Sequence, residues 1–465
     1  MNLPSRKRPR RLKRFVLAAA VVVAAVVLFF ELRLGPPPAI EVVAERDGVG
    51  RGGTAVEVRI AAPHRGLGEV AVEARQGTRS VVLAERHHRA PPRWAFWRPR
   101  VRRDELSLTV GPDVVPGLRS GELELRVTAE RAGSWLRRSV PVVVTRRLPV
   151  RLEPPALAVL SPDNVAEQGG SGVVVYRAGD GVLEEGGRDG VEAGDWFFPG
   201  HPLPGGRPGQ RFALYAVPYD LDDPAAIRLV AIDGLGNRAV QAFLRDLRLE
   251  PVRTDVIRLS DDFFAEVVPE ILAQTPELSP RETLLDTYLM LNGELRRQNA
   301  ATLKALAAES RPGFLWSGPF LQLPGSQVTS AFADRRTYVY DGRPVDRQDH
   351  LGFDLASVRR APVPAANGGV VVLARYFGIY GNTVVLDHGY GLMSLYSHLS
   401  SIDVEPGQAV AKGEILGRTG ETGLAAGDHL HFTMLIGGLP VNPLEWWDRR
   451  WIENRILAPL AAAGG

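Results

Sequence analysis

The sequence predicts a mainly β, multidomain protein: an N-terminal transmembrane helix, two β-sandwich-like domains, a short helical segment and a C-terminal β domain rich in histidine. Three observations carry this. At 465 residues the chain exceeds one ordinary core and is long enough for about three. Its 49 glycines and 36 prolines favour turn-rich β architecture over long bundles. Short runs of alternating polar and apolar residues recur through most of it, interrupted by one stretch of helical spacing.

The N-terminus comes first. Residues 1–14 carry seven Arg or Lys and no acid. Without those seven, 49 basic residues face 53 acidic ones, a net of −4, so the remainder has no basic excess that argues for nucleic acid. Phe15 to Phe30 is an uncharged apolar run of 16 residues, which Leu32 and Leu34 extend. As a helix the run spans roughly 24 Å against a hydrocarbon core of ~30 Å. Residues 15–34 are therefore expected to form a single-pass membrane anchor. The basic tip stays cytoplasmic and the bulk of the chain lies outside. A cleaved signal peptide is the competing reading, and FFELRLGPPP offers it no small-x-small cleavage site.

Gly35-Pro36-Pro37-Pro38 is a stiff exit from this helix. Six short alternating runs between 55 and 145, divided by Gly, Pro and Asp, predict an immunoglobulin-like sandwich over 40–150. His64, His87 and His88 fall in it without a supporting carboxylate pattern, so a metal role is not expected for them. A second β domain is expected over 155–255, from GVVVYRA (172–178), FALYAVPYD (212–220) and a hairpin turned at IDGLGN (232–237). The Gly/Pro-rich stretch 179–209, with His201, is expected to be an inserted loop.

Periodicity changes over 260–311. A short helix is expected at about 261–274. Ser279, Pro280 and Glu282 supply an N-cap, an N1 proline and an N3 acid for a second. Leu284, Leu285, Tyr288, Leu289, Leu295, Leu303 and Leu306 then recur at helical spacing.

Chemistry concentrates in the last third. There are no cysteines, so any metal is held by His, Asp or Glu. Five of the nine histidines lie between 350 and 431, four of them within His350-Leu-Gly-Phe-Asp354, Ser394-Leu-Tyr-Ser-His398 and Asp428-His429-Leu-His431. His429 and His431 share a face of a strand, and His350 and Asp354, four apart, are expected to share one too. A catalytic zinc takes three His or carboxylate ligands and leaves a position open. Two histidines and an aspartate meet that need, with two further histidines left for proton transfer and oxyanion stabilisation.

These motifs come in order with their linking phrases: VTSAFADRR (328–336), HLGFDLA (350–356), APVPAANGGVV (361–371), YGNTVVLDHGYGLMSLYSHLS (380–400), VEPGQAVAKGEILGRTGETG (404–423), DHLHFTM (428–434) and GLPVNPLEW (438–446). Together they resemble the lysostaphin/LytM-type peptidoglycan endopeptidases over roughly a quarter of the chain. The resemblance implies an antiparallel β LytM-type peptidase domain over 315–448 that binds one zinc ion. It implies His350, Asp354 and His431 as the ligands and His398 and His429 as the catalytic histidines. His388 matches a position that is not a ligand and is expected to hold a turn. Asp428 and Thr433 depart from the family's usual Pro and Glu, and neither is expected to bind metal. The tail 449–465 is expected to be partly helical.

The function expected is a membrane-anchored zinc endopeptidase cleaving cross-links or stem peptides of bacterial peptidoglycan. It would lie at the inner membrane with its bulk periplasmic, with an envelope or division protein as a partner. The alternative is a non-catalytic LytM-type regulator or scaffold that activates a cell-wall amidase.

Overall fold

The structure is a computed structural model that describes residues 10–32, 35–89, 100–133, 138–161, 164–183 and 185–464. Most of the basic tip expected over 1–14 lies outside them. These residues form two compact units: Met1–Pro154 with Glu185–Gly187 and Asp233–Asn237, and the remainder.

Helix α1 spans Arg10–Leu32 and contains the apolar run. Among the described residues no helix is long and apolar enough to cross a membrane. Seven strands follow in two antiparallel sheets. Ala39–Ala44, Thr54–Ala61 and Arg103–Val110 form one, and Arg79–His87, Leu67–Gln76, Gly121–Arg131 and Val142–Val150 the other, each in that spatial order. The alternation seen in the sequence is the alternation of burial. Val56, Val58 and Ile60 of one sheet and Val70, Val72, Leu123, Leu125 and Val127 of the other point into a shared core.

In the second unit, the strands from Leu157–Val159 to Leu244–Arg248 form two four-stranded sheets and a parallel pair. Ile227–Ile232 and Arg238–Gln241 pair antiparallel across the expected turn. The stretch 179–209 is not a plain loop. It contributes strands Arg188–Ala193 and Trp196–Pro199, which pair with each other, and the former continues to Ile227–Ile232. Gly190 adopts φ +151° there, and a Cβ on it would lie 2.0 Å from the Phe198 carbonyl, so the glycine marks a close strand approach rather than a break. His201 is half-buried against Tyr390, ring centroids 4.8 Å apart, rather than carried on a free loop.

This β region does not keep a core of its own. Val173, Phe212 and Tyr215 belong to one apolar cluster with Trp316, Phe320, Trp446, Ile452 and Ile456 of the C-terminal region. The expected partly helical tail is Arg449–Ile452, a π turn and Ala458–Gly464. At the seam, Glu445 Oε2 accepts hydrogen bonds from the amide and hydroxyl of Ser171, both 2.7 Å, and Trp446 Nε1 donates to that hydroxyl.

The helical segment is α2, Asp261–Gln274, then α3, Leu284–Met290, which runs through a π turn at Leu291–Leu295 into α4, Arg296–Ala308. The second helix does not start at Ser279 as its cap pattern suggested. Thr283 is the N-cap: its hydroxyl oxygen accepts from the Asp286 amide (3.0 Å) and donates to the Asp286 carboxylate (2.6 Å). A reciprocal cap of this kind satisfies a donor that the Ser279 signal leaves four residues upstream.

The C-terminal domain is built on an antiparallel sheet in the order Gln327–Ser330, Phe353–Ala356, Leu430–Ile436, Leu392–Ile402, Asn382–Gly389, Gly369–Tyr376 and Ala409–Val410. Beside it, Asp334–Tyr340 and Arg343–His350 form a hairpin. Asp341 and Gly342 turn it with φ of +47° and +73°, the two positive angles a tight primed turn requires. Leu303 and Ala307 of α4 pack on Leu373, Val385, Met393, Leu395 and Leu435 of the sheet.

Burial pushes the Glu445 carboxyl up to about 8. A raised value means that the stability it contributes is complete at low pH and is lost as pH rises toward 8. The melting temperature of the wild type should therefore fall between about pH 5 and pH 8 relative to Glu445→Gln, measured by calorimetry across that range. Parallel curves would contradict it.

Candidate metal centre

Four strands bring the predicted residues together. Asp354 sits opposite His431 in the antiparallel register, and His431 opposite Ser397, so Asp354, Ser397 and His431 face the same side of the sheet. His429 precedes His431 by two and shares its face. His350 does not share a strand with Asp354, as four-residue spacing suggested. It ends the hairpin strand Arg343–His350, and the chain turns at Leu351-Gly352 before Phe353–Ala356 begins. Gly352 permits that turn, because a Cβ there would lie 2.6 Å from His431 Nε2 and 2.5 Å from Thr433 Oγ1.

His398 reaches the site by a different device. Strand parity alone would send it to the face of Tyr396 and Phe432. Its φ of +60°, at an irregularity in the pairing with Asn382–Gly389, reverses it. The ring lies 4.9 Å from His429 and 5.8 Å from His431, centroid to centroid. A bulky residue in the left-handed region is uncommon and strained, and such strain gathers at functional positions.

Three donor atoms converge. His350 Nε2 is 2.9 Å from Asp354 Oδ1 and 3.0 Å from His431 Nδ1, and His431 Nδ1 is 2.9 Å from Asp354 Oδ1. Ligands about 2.0–2.1 Å from a tetrahedral zinc stand roughly 3.3 Å apart, so this triangle is within a few tenths of an ångström of a zinc cradle. The outer side of each ligand is fixed. His350 Nδ1–H donates to the Ala331 carbonyl (2.9 Å), which leaves Nε2 bare. The Thr433 hydroxyl donates to Leu351 O (3.0 Å), so its oxygen accepts from His431 Nε2–H (3.0 Å) and Nδ1 is bare. Arg336 Nη2 holds Asp354 Oδ2 at 2.9 Å and leaves Oδ1 to the cluster. Such outer partners set tautomer and aim in metal sites.

The other two histidines are arranged alike. Nδ1–H of His398 donates to Thr422 O and that of His429 to Gly427 O, both at 2.7 Å, so each turns Nε2 inward. Burial, together with the neighbouring His429 and His431, holds His398 well below the ordinary histidine value. His431 is pushed down to about 4, by burial first. For His429 burial acts downward, but the Asp354 carboxylate 3.5 Å away outweighs it and the net shift is upward. Burial acts upward on Asp354, and His350 and the other histidines outweigh it, holding the carboxyl well below its usual range.

The remaining candidates fall elsewhere. His388 is buried between Gly368 O and the Ser394 hydroxyl, a structural place. Asp428 is not among the residues that line the cavity. Its oxygens take the Arg360 amide and the Thr419 hydroxyl and brace the loop before His429. Glu69, Glu85 and His87 also come within metal-ligand reach, because Glu69 pairs with His87 across strands, contrary to the expectation of no carboxylate there. All three are exposed, a condition in which acids cluster without an ion.

Sequence reasoning missed the outer partners. Thr433 lies two residues beyond His431 on the same strand face, a signal present in the spacing. It also missed that Phe263, Tyr288, Asn292 and Arg296 of the helical segment line the same cavity as the five predicted site residues.

The fold and this cluster define a class: an antiparallel β domain carrying a His/Asp/His metal-type site flanked by two further histidines. Residues 348–443 match peptidase family M23, and the chain thus carries an M23 domain of lysostaphin/LytM type toward its C-terminus. It is 38% identical over 121 residues to the peptidoglycan DD-endopeptidase ShyA of Vibrio cholerae, 26% of this chain and 27% of that protein. It is 41% identical over 96 residues to the DD-carboxypeptidase/endopeptidase Mpg of Neisseria meningitidis, 21% and 22% of the respective lengths. The chain thus spans about a quarter of these curated relatives. Among solved structures, the catalytic domain of lysostaphin from Staphylococcus simulans is 24% identical with a TM-score of 0.20, covering 30% of this chain and 92% of that one.

Replacing Thr433 with the near-isosteric valine leaves His431 Nε2–H unpaired. Zinc affinity, measured by chelator competition, should fall about 10–100-fold with the fold retained. An unchanged affinity would remove Thr433 from the site.

Proposed function

We propose that this protein is a zinc-dependent endopeptidase that hydrolyses cross-links or stem peptides of bacterial peptidoglycan. The observation that carries the reading is the triangle of bare donor atoms from His350, Asp354 and His431, each fixed from behind. The peptidoglycan substrate rests on the names of the M23 relatives, which match this chain only over the peptidase domain. Attachment to the inner membrane through the N-terminal apolar run, with the bulk periplasmic, is part of the proposal and stands on the sequence, since no described helix is by itself long and apolar enough to cross a membrane. Seven positive charges ahead of a 16-residue apolar run support it.

A zinc ion held by His350 Nε2, Asp354 Oδ1 and His431 Nδ1 would supply Lewis acidity to the scissile carbonyl and lower the pKa of water beside it. The chain's own residues do the rest. His398 is neutral through burial, and its inward Nε2 is free to take a proton from the attacking water and pass it to the leaving amine. His429 Nε2–H faces the same space and donates to the oxygen on which charge develops. Arg336 keeps Asp354 oriented through Oδ2. Two intact proton-handling histidines are what a non-catalytic activator of an amidase does not need, which disfavours that alternative.

Two variants separate the roles. His431→Ala should lose both zinc and the release of muropeptides from sacculi. His398→Ala should keep zinc and lose about 10²–10⁴ in kcat. If His431→Ala digests sacculi like the wild type, the proposal fails.

A further inference from the structure

Resting on that reading, we infer that Arg296 of the helical segment binds a free carboxylate of the substrate beside the scissile bond. The substrate class is then a peptide whose leaving-side residue keeps its α-carboxylate. That describes the terminal residue of a stem peptide, or a residue cross-linked through its side chain. It does not describe the interior of a polyglycine bridge, which offers no carboxylate.

Arg296 opens α4 directly after the π turn Leu291–Leu295. Single π turns inside helices concentrate at functional positions. The residue lines the cavity that holds His350, Asp354, His398, His429 and His431. Its guanidinium is set in place by Asn292, which is fully buried: Nε donates to the Asn292 carbonyl (3.0 Å) and Nη2 to the Asn292 side-chain oxygen (2.6 Å). The Asn292 amide in turn donates to Asp346 Oδ2 (2.7 Å), whose carboxylate also takes Gln348. Among the described residues no carboxylate lies within salt-bridge distance of Arg296 itself, so its charge is aimed and half-buried without a direct counter-ion.

Asp354 is the single acid among the cavity's lining residues, and its two oxygens are committed to the metal cluster and to Arg336. Arg336 Nε is buried without a hydrogen-bond partner. Two guanidinium groups and a site for a divalent cation, against one carboxylate, make a cavity that an anion completes, since uncompensated buried charge is costly. The cavity is about 210 Å³, below the about 300–1,000 Å³ of sites that bury drug-sized ligands, which suits a small residue with its carboxylate. The planar fork of arginine is the donor geometry that carboxylates match.

The test uses the zinc-loaded full chain and two peptides, one ending in D-Ala-D-Ala as the free acid and the other as its C-terminal amide. Binding is measured by calorimetry and cleavage by steady-state kinetics. The wild type should prefer the acid by about ten- to a hundredfold in Kd and KM. In Arg296→Gln that preference should vanish, and Arg296→Lys should keep part of it. A wild type indifferent to the carboxylate overturns the inference without any variant. So does a preference that survives Arg296→Gln, and so does an equal rise or fall of kcat on both peptides, which would make Arg296 part of a cover or an oxyanion donor. If the wild type cuts neither peptide, release of muropeptides from sacculi decides the endopeptidase reading, and the calorimetric preference still decides the role of Arg296.

Discussion

The pairing of Asp354 with His431 across two antiparallel strands is the constraint on which the rest of the site depends. Register fixes both side chains on one face, and the Oδ1 and Nδ1 atoms come within hydrogen-bond distance of each other and of His350. Two bases and a carboxylate in a dry setting are costly unless something positive joins them. The outer hydrogen bonds are therefore informative. Ala331 O, Thr433 Oγ1 and Arg336 each occupy the side of a ligand that points away, so all remaining lone pairs face one point. That is a site shaped before a metal arrives. With a cation there, the Asp354 charge is shared with it, and the upward pull that Asp354 exerts on His429 weakens accordingly.

Three kinds of framework hold this point steady. The main sheet supplies Asp354, His398 and His431. A separate hairpin delivers His350, turned by Asp341-Gly342. The helical segment closes in from outside, with α4 seated on the sheet through Leu303 and Ala307 while Asn292 and Arg296 reach the cavity. The β region 155–248 shares the peptidase's core through Ser171, Glu445 and Trp446. The M23 domain is thus braced by elements that the family resemblance does not cover.

Much of this was legible in the sequence, and the failures have physical reasons. His429 and His431 could be placed on one face because strand parity is local and strict. The same parity, applied to His350 and Asp354, gave convergence for the wrong reason, because the turn at Gly352 divides them. His398 could not be oriented at all, since its direction depends on one positive φ at a bulge. Thr433 was readable from its spacing and was passed over as a departure from a family pattern. The place of Arg336 and Arg296 depends on tertiary contacts far apart in sequence, which periodicity does not encode. Thr283 outcompeted Ser279 as a cap because Asp286 answers it, a difference of degree between two plausible signals.

On the proposed function, one zinc at His350, Asp354 and His431 makes this chain a peptidoglycan peptidase. Metal-free full-length protein titrated with zinc against purified sacculi, with released muropeptides read by mass spectrometry, tests it most directly. Cut stem or cross-link peptides should appear, with a yield that rises with zinc and levels off at one ion per chain. Muropeptides released equally by the metal-free protein, or none released at saturating zinc, would contradict it.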